Sequence, residues 1–161
     1  MASRFVGLPG NAEFPSSTFP QLPQINARPV LAFDAATDET CYWTDVAPQG
    51  LTGTITLYVY YAMASATSGN IIWQAQIEAV TDGDALDLDA TTSFDTANTS
   101  SATAVPGTAG YIDVVAITLT NADSLAAGDY YRIGLNRDAN NASDTASGDA
   151  YVLAVELRDA A

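Results

Sequence analysis

The stretch Leu125-Ala-Ala-Gly-Asp-Tyr-Tyr-Arg-Ile-Gly-Leu-Asn-Arg-Asp138 decides how this chain folds. Gly128-Asp129 reads as a turn, and the residues after it alternate. Tyr131, Ile133 and Leu135 fall on one side, and Tyr130, Arg132, Gly134 and Asn136 on the other. That two-residue period belongs to a half-buried strand. A polar loop over residues 138–149 follows, then a second alternating run over residues 150–159. Turn, half-buried strand, polar loop and last half-buried strand describe the end of an antiparallel sandwich.

Outward from this pair the pattern repeats. Residues 111–120 alternate after the turn Pro106-Gly107. Residues 53–63 form the longest run, with Ile55, Leu57, Val59, Tyr61 and Met63 as its apolar face. Thr54, Thr56, Tyr58, Tyr60 and Ala62 make the other, semi-polar face. In residues 71–81, Ile71, Trp73, Ala75, Ile77 and Ala79 face inward while Gln74, Gln76 and Glu78 face water. Shorter strands are expected at residues 29–34 and 40–46, the latter rich in aromatic and β-branched residues. Residues 82–110 are acidic and rich in small residues, with Phe94 as the clearest anchor. A structureless loop of that length is uncommon in a compact domain, so short elements are expected near residues 92–95 and 102–105. No segment sustains a 3.6-residue period. The pattern predicts an all-β fold, a two-sheet antiparallel β-sandwich of jelly-roll type. An immunoglobulin-like sandwich is the alternative, and the missing Cys…Trp…Cys framework counts against it.

Residues 1–28 read as an extended N-terminal arm, and residues 29–161 as the sandwich. Pro9, Pro15, Pro20 and Pro23 fall in the arm and Pro29 just after it. Prolines at this density oppose both helix and ladder interior. The arm is nonetheless punctuated by apolar side chains, unlike a disordered linker. It carries Arg4, Arg28 and Glu13, a sum of +1, against three arginines and eighteen acids in the remainder, a sum of −15. Arg4, Phe5, Leu8, Phe14, Phe19, Leu22 and Arg28 are therefore its candidate attachment residues. Deletion of the arm is expected to leave the sandwich folded.

At 161 residues the chain is expected to be a single folded unit with an appendage. Its net charge of −14 opposes binding to nucleic acid or to an anionic membrane. No apolar stretch approaches the ~20 residues of a membrane span, and the first residues show no secretory h-region. Histidine and lysine are absent and cysteine occurs once, at Cys41. These absences remove the commonest general base, the Schiff-base amine and any intrachain disulfide. The acidic run 82–89 and the cluster Asp138, Asn140, Asn141, Asp144 and Asp149 are weighed as calcium ligands, but the first does not fit an EF-hand loop, its Gly being misplaced and no bidentate Glu closing it. They read as solvated loops. Carboxylate pairs for glycoside hydrolysis cannot be singled out among nineteen acids. The expectation is a non-enzyme without metal or cofactor. Trp43, Trp73 and the pairs Tyr60-Tyr61 and Tyr130-Tyr131 are candidates for stacking on sugar rings, although Trp73 shares its parity with core residues. One ring of each tyrosine pair should be buried. Tyr58, Tyr60 and Tyr130 are then the candidate contacts of a homo-oligomer, expected to be a trimer.

From residue 29 onward the chain resembles jelly-roll modules of tailed-bacteriophage virion proteins. The phrases that carry the resemblance are ARPVLAFDAATDETCYWTDVAPQG, LYVYYAMASATSGNIIWQAQIEAV and LAAGDYYRIGLNRDANNASDTASGDAYVLAVELRD. It implies a capsid decoration, head-fibre or tail-appendage protein, located in the virion and made in the host cytoplasm. The arm would attach it to the phage capsid or another virion protein. The resemblance brings no site residue with it. The alternative from the aromatic residues is a carbohydrate-binding or receptor-binding module with a surface glycan as partner.

Overall fold

Two-residue alternation of apolar and polar side chains becomes two packed sheets. The computed structural model describes residues 1–160, and among these there is no α-helix. In chain order the strands begin with β1 (Ala2–Gly7), β2 (Gln24–Ile25), β3 (Arg28–Pro29), β4 (Leu31–Phe33), β5 (Thr40–Val46) and β6 (Ile55–Met63). They continue with β7 (Asn70–Ile71), β8 (Trp73–Val80), β9 (Asn98–Thr99), β10 (Thr103–Ala104), β11 (Ile112–Leu119), β12 (Tyr130–Arg137) and β13 (Ala150–Asp159). One sheet has the order β1-β13-β6-β11, with β4 also paired to β13; the other runs β5-β12-β8-β9. Pairing within both sheets is antiparallel. The fold is an all-β jelly-roll sandwich.

The inward rows meet between the sheets. Leu57, Val59 and Tyr61 of β6, Val155 and Leu157 of β13, Trp73 and Ile77 of β8, and Ile133 and Leu135 of β12 are all buried. Each such side chain contributes roughly 1.5–3 kcal/mol by leaving water. Trp73 packs edge-on to Phe33 and Tyr61, with ring centroids 5.2 and 5.9 Å apart. The inward row of β12 ends on a charge. Arg137 is fully buried, and donates to both carboxylate oxygens of Asp144 at 3.1 and 2.8 Å and to the carbonyls of Ala146 and Gly148. Asp144 also accepts from the Ile72 amide, so this one pair fixes the 138–149 loop against the sheet.

The expected division at residue 28 is corrected by the structure. β1 is a strand of the sandwich, paired with β13 from Ala2↔Asp159 to Gly7↔Val155. β4 occupies the first part of the same edge of β13, and a register shift between Val152 and Ala154 lies where the two strands meet. Between β1 and β4 the chain crosses to the other sheet and returns. Trp43 Nε1 donates to the Leu8 carbonyl at 3.1 Å, Glu13 bridges to Tyr42 of β5, and Gln21 bridges back to Ala32. Pro9, Pro15, Pro20 and Pro23 are accommodated because none of them lies in a strand. Gly7 is needed at the crossing, since a Cβ there would lie 2.7 Å from Val155 Cγ2 and 2.9 Å from Trp43 Nε1.

Smaller differences follow from turn chemistry. The expected strand over residues 29–34 is split, because Asn26 and Ala27 adopt positive φ and turn β2 into β3. Residues 92–95 form no regular element; the short strands of that region are β9 and β10, the second within the expected 102–105.

Candidate functional site

The outward row of β12 lies at the centre of the four-stranded sheet, and register assigns its neighbours. Arg132 sits between Thr44 and Glu78, Gly134 between Tyr42 and Gln76, and Asn136 between Thr40 and Gln74. Gly134 leaves the middle row without a side chain, and two rings lie over it. Tyr42 and Phe94 stack with centroids 5.3 Å apart and planes 26° from parallel. The Arg132 guanidinium carbon is 4.7 Å from the Tyr42 ring centre and 5.3 Å from that of Phe94, a double cation–π contact. Its charge is met by Glu78 at 3.3 Å and Glu13 at 3.9 Å.

Two segments flank this face. On the β5 side Glu13 accepts from Thr44 Oγ1 at 3.0 Å. On the β8 side the Ser93 amide donates to Glu78 and Gln76 Nε2 donates to the Asp95 carbonyl, which holds Phe94 over the sheet. At the open end Gln74 Nε2 donates to Asp138. Asn136 Nδ2 makes only a long contact to Thr40 Oγ1 at 3.5 Å, and Asn136 Oδ1 is buried with no partner among the described residues. Ring surface, a planar guanidinium and amide groups suit a flat ligand with many hydroxyls. The Glu78 carboxylate is engaged by Arg132 and by the Ser93 amide.

The outer face of the five-stranded sheet is organised around Tyr58 and Tyr60. The Arg158 guanidinium lies 4.1 Å from the Tyr58 ring centre and donates to Tyr60 Oη at 2.8 Å and to Glu156 at 2.6 Å. The Arg158 hydrogen bond holds the Glu156 carboxyl down at about 2. Withdrawal from solvent, then the Glu156 bond, raises the Tyr60 hydroxyl above its usual value. Burial raises the Cys41 thiol well above the thiol range.

A concavity of about 720 Å³ lies at one end of the sandwich, lined by Thr54, Ile55, Leu119, Thr120, Ser124 and Asp95 among others. Asp95 is committed there to loop structure, accepting from the Thr96 and Asp123 amides.

The residues singled out from sequence are distributed differently from expectation. Tyr58 and Tyr60 share a face and Tyr130 projects from the opposite sheet, so within one copy the three do not form a single patch. Arg4 is engaged within its own fold, its Nε donating to the buried Asp159 at 2.7 Å, and Phe5 packs edge-on to Tyr131. Leu8, Phe14, Phe19 and Leu22 remain exposed, with the Phe14 and Phe19 rings 5.5 Å apart. Arg28 is exposed and donates to the Asn26 carbonyl. Trp43 and Trp73 are buried, which removes both as sugar-stacking rings. Of the acidic cluster at 138–149, Asp144 is not solvated but pairs with Arg137. Sequence reasoning missed the Tyr42–Phe94–Arg132 cluster, although the parity of Arg132 and the isolation of Phe94 were its signals.

No family model matches the chain, and no curated protein matches it. Among solved structures it is similar to CBM35 from Cellvibrio japonicus Abf62, with a TM-score of 0.52 and 11% identity over 99% of this chain and 95% of that one. That likeness shows the sandwich fold. Two others are a non-crystalline cellulose specific carbohydrate-binding module, CBM28, and the CBM22-1 xylan-binding domain from Paenibacillus barcinonensis Xyn10C. The CBM28 structure has a TM-score of 0.43 and 8% identity over 91% of this chain and 84% of that one. The CBM22-1 domain has a TM-score of 0.38 and 11% identity over 99% and 97%.

Proposed function

We propose that this protein is a non-catalytic carbohydrate-binding module whose ligand lies across the outer face of β5, β12 and β8. The observation that carries this reading is the Tyr42–Phe94 ring pair capped by Arg132 above the bare backbone of Gly134. Sugar C–H faces stack on such rings, while the guanidinium and the amides of Gln74, Gln76 and Asn136 meet hydroxyls. A neutral saccharide is favoured over an acidic one, since a body of net charge −14 repels uronates and sulfates.

Calorimetric titration with a panel of neutral and uronic oligosaccharides tests this. Saturable binding of a neutral member is expected, weakened about tenfold or more by Tyr42→Ala, the scale of one lost aromatic contact. Binding that Tyr42→Ala and Phe94→Ala both leave unchanged would remove this face from the account.

A second reading is a structural subunit at a virion surface, as the sequence resemblance implies. It is favoured by the uncovered apolar residues around Tyr58 and Tyr60 on the opposite sheet.

A further inference from the structure

The outer face of β1-β13-β6-β11 differs from the rest of the molecule in charge. Register aligns Val114 with Tyr60 and Ala154, and Ala116 with Tyr58 and Glu156. Val6 of β1 lies opposite Glu156 on the far side. Val6, Ile112 and Val114 are 51%, 61% and 40% exposed, high for β-branched residues on a sheet. The charged side chains among these rows, Glu156 and Arg158, form a 2.6 Å pair and sum to zero. On the opposite face Glu13 and Glu78 outnumber Arg132, and the whole chain carries −14.

We propose that this face is the contact between two copies of the chain, packed sheet on sheet about a two-fold axis. Two bodies this acidic repel one another in most orientations, and a net-neutral apolar face is where approach costs least. Tyr58 and Tyr60 are already held by Arg158 and Glu156, so little side-chain freedom is lost on contact. Four strands about 4.8 Å apart and four outward rows give a face of roughly 500 Å² per copy. Two such faces bury about 1,000 Å², the lower bound of a specific interface. The open edge of β11 is a poorer contact, because the Asp113 carboxylate accepts from the outward Val114 amide and blunts it. A two-fold face cannot close a ring of three, so this contact takes the place of the expected trimer.

Sedimentation velocity of the full chain at two salt concentrations tests the proposal. The expected result is a monomer–dimer equilibrium that tightens as salt rises, because the repulsion between bodies is screened while the contact itself is apolar. Val114→Glu should weaken association at least tenfold with β-type circular dichroism unchanged, and Ala116→Arg provides a second substitution should the first fail to fold. A monomer at several hundred micromolar in high salt would overturn the proposal. So would a trimer, or a dimer that both folded variants preserve.

Discussion

Arg137→Met is the most informative single change to the scaffold. The guanidinium is fully buried and its partner Asp144 has a side-chain exposure of 1%. Methionine fills much of the volume but donates nothing. It leaves a buried carboxylate without its cation and takes a donor from each of the Ala146 and Gly148 carbonyls. Removing one member of a buried ion pair costs about 3–5 kcal/mol. For a chain of this size 1 kcal/mol moves Tm by about 2–4 °C, so a fall of roughly 6–20 °C is expected. Thermal and urea unfolding followed by circular dichroism measure it, with the urea slope checked for two-state behaviour. Asp144→Leu alone strands the arginine and should cost a similar amount. The double variant strands no charge and should be clearly more stable than the sum of the singles implies. A Tm within 2 °C of wild type for Arg137→Met, or strictly additive singles, would refute the reasoning.

Deleting residues 1–7 removes β1, the Arg4–Asp159 pair and the contact of Phe5 with Tyr131, so the urea midpoint should fall substantially. Gly7→Ala should destabilise by about 1–3 kcal/mol through overpacking against Val155 and Trp43, read by the same unfolding curves. An unchanged midpoint in both would restore a dispensable arm. Glu156 is held down at about 2 by Arg158, so its contribution to stability is present above the ordinary carboxylate value near 4.3. That contribution is lost as pH falls from about 4.3 towards 2, and Glu156→Gln should flatten stability against pH in that window. The effect should be modest, because the pair is partly exposed and screened by solvent.

Alternation made most of the fold legible. The inward rows of residues 55–63 and 131–135 are buried as their parity requires, and the last strand covers the expected residues 150–159. The N-terminal segment was not legible, because its prolines signal the absence of a ladder interior but cannot say that six residues before them form one. What joins β1 to the sandwich lies 155 residues away, in Asp159. Parity already turned Arg137 inward, beyond Tyr131, Ile133 and Leu135. Its partner in a polar loop could not be read, since nothing local distinguishes Asp144 from its acidic neighbours. The candidate site combines both cases. Tyr42, Arg132 and Gly134 come from strands whose parity is readable, whereas Phe94 reaches them from a long irregular segment held by Ser93 and Asp95.

Amide chemical-shift mapping by nuclear magnetic resonance, with a neutral oligosaccharide added to saturation, tests the central claim most directly. The account predicts that the shifted amides cluster at Tyr42, Gln76, Arg132, Gly134 and Asn136, on one face of the four-stranded sheet. Shifts confined to Thr54, Thr120 and Ser124 at the end of the sandwich would contradict it, as would no shift with any neutral saccharide.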